Sequence, residues 1–512
     1  MKRFVNGLAL MVAVTCLVWV AVLWRWQSTR RDMSVEDIAL YMGLLPVFAI
    51  VLILMARWAW RGQVAQRAAL AAGAQAHAAN TATGDSAAQQ PSTSDAAQRH
   101  AVHAVWLAAV NCPAGASADE LLAAAQANEP RPDLDKDLTD PDGQPLMCAR
   151  VPDLPTDALA AELAPVIAQV RQRLSAADHA SLYDEPDDAV VRALTALQTP
   201  LDEARQALQP WSTLFQASDS QAAHELGEVH VLIGLPAAWT PLEQQVTEDW
   251  IRLSLTDPER SAVPASRFAW LRHHDGSEAL WLQADQLLMQ CRREQRRALV
   301  LLLGLHSDIS EVAVQRLAAR QALFQAGANP KGHMPGEAAC ALLLASADWP
   351  GLPPDADDPE LAPLAWVHRP ALARRDKSVD AGGKVLSTTL SQVIEQAQAA
   401  SRLPTADIAS LVCDGDQHTA RSTELFGATL ALLPDLDAVD DMRLTATVCA
   451  GPGAATPLAV IAAACAHTRA LNKPVMALCL GDPFARLALV ARPDQPEEDA
   501  ARAAGATTPA QA

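Results

Sequence analysis

The chain has 512 residues, half of them apolar, 19% charged and 4% aromatic. This composition excludes a wholly disordered chain, and nine scattered cysteines exclude a small disulfide scaffold. A net charge of −19 and a scarcity of Tyr and Phe argue against a nucleic-acid surface, which needs clustered Lys and Arg and rings for base stacking.

The charge is unevenly placed. Residues 1–67 carry Lys2, Arg3, Arg25, Arg30, Arg31, Arg57, Arg61 and Arg67 against Asp32, Glu36 and Asp37, a balance of +5 that leaves −24 for the rest. From Phe4 to Trp24 there is no charge, and 21 residues at about 1.5 Å each span roughly the 30 Å of a bilayer core. A second uncharged run, Ile38–Ala56, is followed by Trp58 and Trp60 where an interfacial aromatic belt would lie. The two runs predict a transmembrane hairpin over residues 1–62. No small-x-small cleavage site follows the first run, so it reads as a retained span and not as a signal peptide. Lys2, Arg3, Arg57, Arg61 and Arg67 flank one side and Arg25, Arg30 and Arg31 the other, a bias that places both termini in the cytoplasm of a bacterial inner membrane.

Residues 63–100 are rich in Ala, Gln, Ser and Thr and read as a flexible linker; the tail 493–512 is similarly biased. Between them, 101–492 form the folded body. Ala101–Val110 predicts a buried strand, and Ser117–Ala127 a helix opened by a capping box of Ser117 and Glu120. Val229–Leu235, Ala298–Leu305, Cys340–Ala345, Ile408–Val412, Arg443–Val448 and Leu487–Val490 predict further strands. Leu280–Arg293 reads as an amphipathic helix, and Pro457–Thr468 as one apolar on nearly every side. Continuous apolar runs bounded by helices are the pattern of strands covered on both faces, and they predict a layered α/β/α body. The body cysteines show no C-x-x-C pair and read as small buried hydrophobes.

The run Arg297–Leu303 with Gly304-Leu305-His306-Ser307, and the later Pro335-Gly336-Glu337-Ala338-Ala339 turn into a strand, resemble the β-ketoacyl synthases of the thiolase-like superfamily. Asp407–Glu424, Ala446–Cys465 and the Leu480–Ala485 glycine loop follow in the same order, so the resemblance covers about residues 101–492. It implies a thiolase-like layered α/β/α fold for the body that follows the two predicted transmembrane helices, and dimerisation through a sheet edge. It also implies three catalytic positions: a cysteine at a helix N-terminus and two histidines. The nucleophile belongs near His273-His274-Asp275-Gly276-Ser277, where there is no cysteine; Cys291 comes too late. The first histidine falls at Asp414 of Asp414-Gly415-Asp416, and the second at Ala450, after Cys449 and before Gly451-Pro452-Gly453. The family mechanism is lost at all three.

Substitute chemistry is conceivable on a few residues. Ser277 with His273, His274 and Asp275 could form a nucleophile and base, against the plainer reading of a solvated helix start. Asp414, Asp416 and His418 alternate as cation ligands would, against the plainer reading of a polar loop before the next helix. Arg292, Arg293, Arg296 and Arg297 form a basic cluster that could meet an acidic partner, against a solvated helix end. No cofactor and no metal is expected. The sequence therefore reads as a membrane-anchored pseudoenzyme that binds an unidentified protein as a scaffold or adaptor, as a homodimer or heterodimer, without nucleic acid. Two rivals stand beside it: a non-catalytic partner subunit of an acyl-condensing synthase, like a chain-length factor, and an acyltransferase or hydrolase with replaced catalytic groups.

Overall fold

A computed structural model describes residues 99–496 apart from 176–184, 213–214, 216–225, 262, 274–276, 348, 350–361, 382, 417 and 452. The expected hairpin, nearly all of the linker and residues 497–512 lie outside the described residues.

The first half of the body runs β1 (Val102–Asn111), α1 (Ala118–Gln126), β2 (Asp133–Thr139), β3 (Pro145–Cys148), α2 (Thr156–Ser175), α3 (Asp188–Leu208), β4 (Leu226–Gly234), α4 (Pro241–Thr256), β5 (Phe268–His273), α5 (Ser277–Arg293), β6 (Arg297–Ser307), α6 (Glu311–Ala319) and β7 (Glu337–Ser346). The second runs β8 (Ala365–His368), β9 (Ala371–Arg374), α7 (Thr388–Ser401), β10 (Ser410–Cys413), α8 (Thr419–Leu432), β11 (Met442–Leu444), α9 (Ala446–Cys449), α10 (Thr456–Leu471), β12 (Val475–Cys479) and β13 (Ala485–Arg492). Ser117 accepts from Glu120 N to start α1, and the Glu120 carboxylate turns back to Ala116 N, one residue short of the expected reciprocal box.

One topology is used twice. In the first half the spatial order is β5-β4-β6-β7-β1, with β4, β5 and β6 parallel and β7 antiparallel to both neighbours. In the second it is β11-β10-β12-β13, followed by β8 and β9 in line; β10, β11 and β12 are parallel and β13 antiparallel to its neighbours. β8 pairs with both β1 and β13 and joins the halves.

Strand parity decides the layering, because alternate side chains leave opposite faces. In β6, Leu299, Leu301, Leu303 and Leu305 meet the helices α2, α3 and α4 in one core, whereas Val300 and Leu302 meet α5 and α10 in another. In β12, Val475, Ala477 and Cys479 join that same α5–α10 core, while Met476 and Leu478 pack with α7 and α8 in a third. The helices α5 and α10 are therefore shared by both half-sheets. The expected α/β/α body is a five-layer α/β/α/β/α one, since an apolar face on each side of a strand does not reveal that two sheets cover the same helices.

Helix α10 with the turn before it is long and apolar enough to cross a membrane, but 78% of that stretch is buried inside the body. It is a core helix. Gly304 of β6 makes its approach possible: a Cβ there would lie 2.8 Å from Leu458 and 2.9 Å from the Ala454 carbonyl. The strand expected over Arg443–Val448 is shorter. It pairs with β10 for three residues, then Thr445 N donates to Cys413 O and the chain turns into α9.

One charge sits in the shared helical layer. Asp285 of α5 is 2% exposed and accepts from His103 of β1 at 2.9 Å and from Arg369, between β8 and β9, at 2.8–3.1 Å. Hydrogen bonds from His103 and from the Arg369 guanidinium hold its carboxyl below the usual range although burial alone would raise it. The body is expected to fold without the hairpin, giving one cooperative urea transition for residues 99–496. Asp285→Ala is expected to lower its stability by about 3 kcal/mol, because the buried His103 and the half-buried Arg369 lose the carboxylate to which both donate; an unchanged urea midpoint would contradict this role.

Candidate functional site

The three positions that the resemblance assigns to chemistry lie around the N-terminal ends of the two shared helices. His274 and Asp275 fall outside the described residues, and Ser277 opens α5. No cysteine occurs between Cys148 and Cys291. Cys291 is buried near the end of α5, at the opposite end of the helix from the nucleophile position. The eight body cysteines are all buried and unbridged. Burial pushes Cys148 and Cys465 up to about 12 and raises Cys340, Cys413 and Cys479 as well, so these remain thiols at neutral pH.

Asp414 is not the solvated loop residue expected from its sequence. It follows β10, is 2% exposed, and accepts from Leu480 N at 2.6 Å on one oxygen and from Gly481 N at 3.0 Å on the other. The carboxylate pins the turn before β13 to the end of β10. Burial pushes its pKa up to about 6 against the pull of the two N–H donors. Ala450 caps α9 in the left-handed region (φ 55°) and brings only a methyl group to the second histidine position. The neighbouring Cys449 thiol is hydrogen-bonded to that of Cys112.

The sequence reasoning missed Glu278, one residue after Ser277. It is 5% exposed in the first turn of α5, and burial pushes its carboxyl up to about 7, with the charge of Asp414 acting in the same direction. Glu-for-apolar at a predicted helix start was the available signal, but a first-turn acid is so common on solvated helices that it pointed outward. Beyond it lies a buried ionic group: Arg486, fully buried, donates to both oxygens of Glu424 at 3.2 and 2.8 Å and to Asp482 O at 2.6 Å, while Arg375 reaches Glu424 at 2.6 Å. Around Asp414 and the start of α5 the described residues thus gather carboxyl groups and a buried arginine.

The Asp414-Asp416-His418 alternation does not make a cation site. Asp414 is spent on backbone, Asp416 accepts from His418 N at 2.9 Å and pairs with Arg421 at 3.2 Å, and the three do not converge on one point. The loop-before-helix reading holds for Asp416 and fails for Asp414. In the basic cluster, Arg293 and Arg296 are exposed and Arg292 and Arg297 half-buried around the last turn of α5 and the start of β6; Arg296 donates to Glu294 at 2.8 Å. Its positive charge is thus partly answered locally. A polar cleft of about 610 Å³, bounded by Asp202, Arg205 and Gln206 of α3 and by Glu259–Ser261, contains none of the positions above.

The sequence matches no family model and no curated protein. Among solved structures the chain is similar to the ishigamide ketosynthase/chain length factor, at 13% identity and TM-score 0.47, over 77% of this chain and 99% of that one. It is also similar to the ketosynthase from module 6 of the bacillaene synthase from Bacillus subtilis 168, at 11% identity and TM-score 0.48, over 77% and 72%. A third neighbour is a type II polyketide ketosynthase in complex with its acyl-carrier protein, at 10% identity and TM-score 0.46, over 77% and 100%. These three are ketosynthase structures, one of them with a chain length factor.

The two raised carboxyls set a pH dependence. An unfolded chain ionises Glu278 near 4.5 and Asp414 near 3.8, whereas the folded one holds these protons until about 7 and about 6. The folded state then binds more protons, so stability falls as pH rises from about 4 to 7. Glu278→Gln is expected to flatten this decline and to gain about 1–3 kcal/mol at pH 8, by urea denaturation at pH 5 and pH 8. A variant whose decline matches the parent's would show that Glu278 is not the titrating group.

Proposed function

We propose that this chain is a non-catalytic, ketosynthase-like protein that works by binding another protein, as a scaffold or adaptor held at the cytoplasmic face of a bacterial inner membrane by its N-terminal hairpin. The observation that carries the non-catalytic part is the commitment of Asp414: its carboxylate is 2% exposed and each oxygen holds a backbone N–H of the turn before β13, so it fixes that turn and does not face an open pocket. Ala450 and the absence of a cysteine at the start of α5 support the same reading. The membrane part rests on the two uncharged runs and the flanking Lys and Arg, and an envelope or secretion apparatus is the setting that an anchored cytoplasmic binding body suits.

Asp414→Ala would orphan the buried Leu480 N–H at about 1–3 kcal/mol, so Asp414→Asn, whose amide oxygen can still accept from Leu480, is the cleaner test of chemistry. With Asp414→Asn and Glu278→Gln, biological activity is expected to stay within about twofold of the parent, and the parent is expected to show no turnover of acyl-carrier substrates. Loss of activity by roughly 10² or more in a folded, membrane-inserted variant would establish an enzyme built on those carboxyls. Co-purification of the full-length protein from membranes separates the binding readings. A synthase with its Cys, His and His in place would mark a chain-length-factor-like subunit, and an envelope component a scaffold. Charge reversal of Arg293 and Arg296 tests the basic face in the same experiment.

For the topology, alkaline phosphatase fused after Ala512 is expected to be inactive and a cytoplasmic reporter active. Phosphatase activity from that fusion would overturn the cytoplasmic placement.

A further inference from the structure

At the end of β6, His306 is the penultimate residue of the strand, Asp308 follows the strand, and His333 lies in the loop that returns to β7. Their side chains meet. His306 Nε2 lies 2.9 Å and His333 Nε2 2.8 Å from the same carboxylate oxygen, Asp308 Oδ2, and the ligand-type atoms all lie within 4.8 Å of one another. Among the described residues it is the one such group of three or more His, Cys, Asp or Glu.

The backbone, and not the side chains, brings these three together. Asp308 N donates to Gly336 O at 3.0 Å, His333 N donates to Ala322 O at 2.6 Å, and Phe324 N donates to His333 O at 2.9 Å. The His306 ring is held by the turn before α10: a Cβ on Gly453 would lie 2.5 Å from Nδ1, so only glycine lets the turn cover the ring. That Nδ1 is buried without a hydrogen-bond partner, and Nε2 is the nitrogen left to do work. The His306 and Asp308 side chains are 13% and 18% exposed, while His333 at 33% leaves a way in from solvent. The nearest further carboxylate, Glu337, is already taken by Arg192 and Ser307.

We propose that His306, Asp308 and His333 hold one borderline divalent metal ion of the Zn²⁺ class, with water completing its coordination. Two imidazoles and one carboxylate match Zn²⁺ or Fe²⁺, whereas Mg²⁺ and Ca²⁺ ask for oxygen throughout. Bonds of about 2.0–2.2 Å put ligand atoms roughly 3 Å apart, the spacing that both imidazoles already keep from Oδ2. Two neutral rings and one carboxylate supply the single negative charge that such an ion favours. The fold also has a use for a staple here. Between residues 320 and 334 only Leu323 is buried, and it joins a small satellite core with Ile309 and Val314, so the loop has little apolar surface to fix it to the end of β6. The ion is a structural clasp between β6 and the 320–336 loop.

The test uses the full-length protein in detergent, stripped with a chelator and titrated with Zn²⁺ alone, and in a separate arm with Fe²⁺ under anaerobic conditions. The parent is expected to bind one more equivalent tightly than His333→Gln or Asp308→Asn do, with affinity for that equivalent reduced at least 100-fold in either variant. Co²⁺ in place of Zn²⁺ is expected to give visible bands that His333→Gln abolishes. His333 is partly exposed in a loop, so that variant is expected to fold, with the same far-UV circular dichroism as the stripped parent. Zn²⁺ is expected to raise the melting temperature of the parent and not of the variant. Equal stoichiometry in parent and folded His333→Gln, or a parent that takes up neither Zn²⁺ nor Fe²⁺, would overturn the site.

Discussion

A carboxylate sealed between the two half-sheets is tolerable only with donors that answer its charge, and Asp285 has two. Its bonds to His103 and Arg369 tie a shared helix to the first strand of one half and to the interrupted first strand of the other. Everything else in the body is arranged around that layer. Helix α10 meets strands of both half-sheets through Ala, Val, Ile and Leu, with no charge in its buried stretch. An ion pair of this kind is a poor source of net stability, because desolvation offsets most of the attraction. Its geometry is directional where hydrophobic contact is not, and it therefore sets how α5 lies between the sheets.

With the helices fixed, their N-terminal ends and the turns after β10 and β11 come together, and the polar residues there have no water to fall back on. This accounts for the character of the site. Asp414 takes two backbone N–H groups, Glu278 keeps its proton to near neutral pH, and Arg486 is surrounded by Glu424 and carbonyl oxygens. Asp414 fixes a turn and Arg486 ties the last strand to a helix. The region is a polar core that closes the ends of the strands.

The close packing of α10 against β6 has a second consequence on the same edge. Gly304 admits the helix and Gly453 admits the His306 ring, so a turn that would otherwise clash instead clamps an imidazole in place. The three-residue group at His306, Asp308 and His333 thus draws its rigidity from the packing of this layer, and of the three only His306 falls in a stretch that carried the ketosynthase resemblance.

Much of the framework was legible in the residues themselves. The buried runs of β1, β6 and β7 and the all-round apolar α10 declare themselves because burial on both faces leaves no room for polar alternation. That no cysteine stands near residues 273–277, and that Asp and Ala stand at 414 and 450, needed no coordinates. Other features escaped because their cause is distant in sequence. Asp414 looks like a loop residue locally, and becomes a buried clamp through Leu480 and Gly481, 66 and 67 residues away. Asp308 and His333 stand 25 residues apart across turns with little periodicity. The number of layers escaped as well, since an apolar strand face shows that something covers it and cannot show what. Composition and periodicity determined which segments are buried; only the tertiary structure decided which partner each buried face and each buried charge would find, because that choice is made between groups that the chain itself keeps far apart.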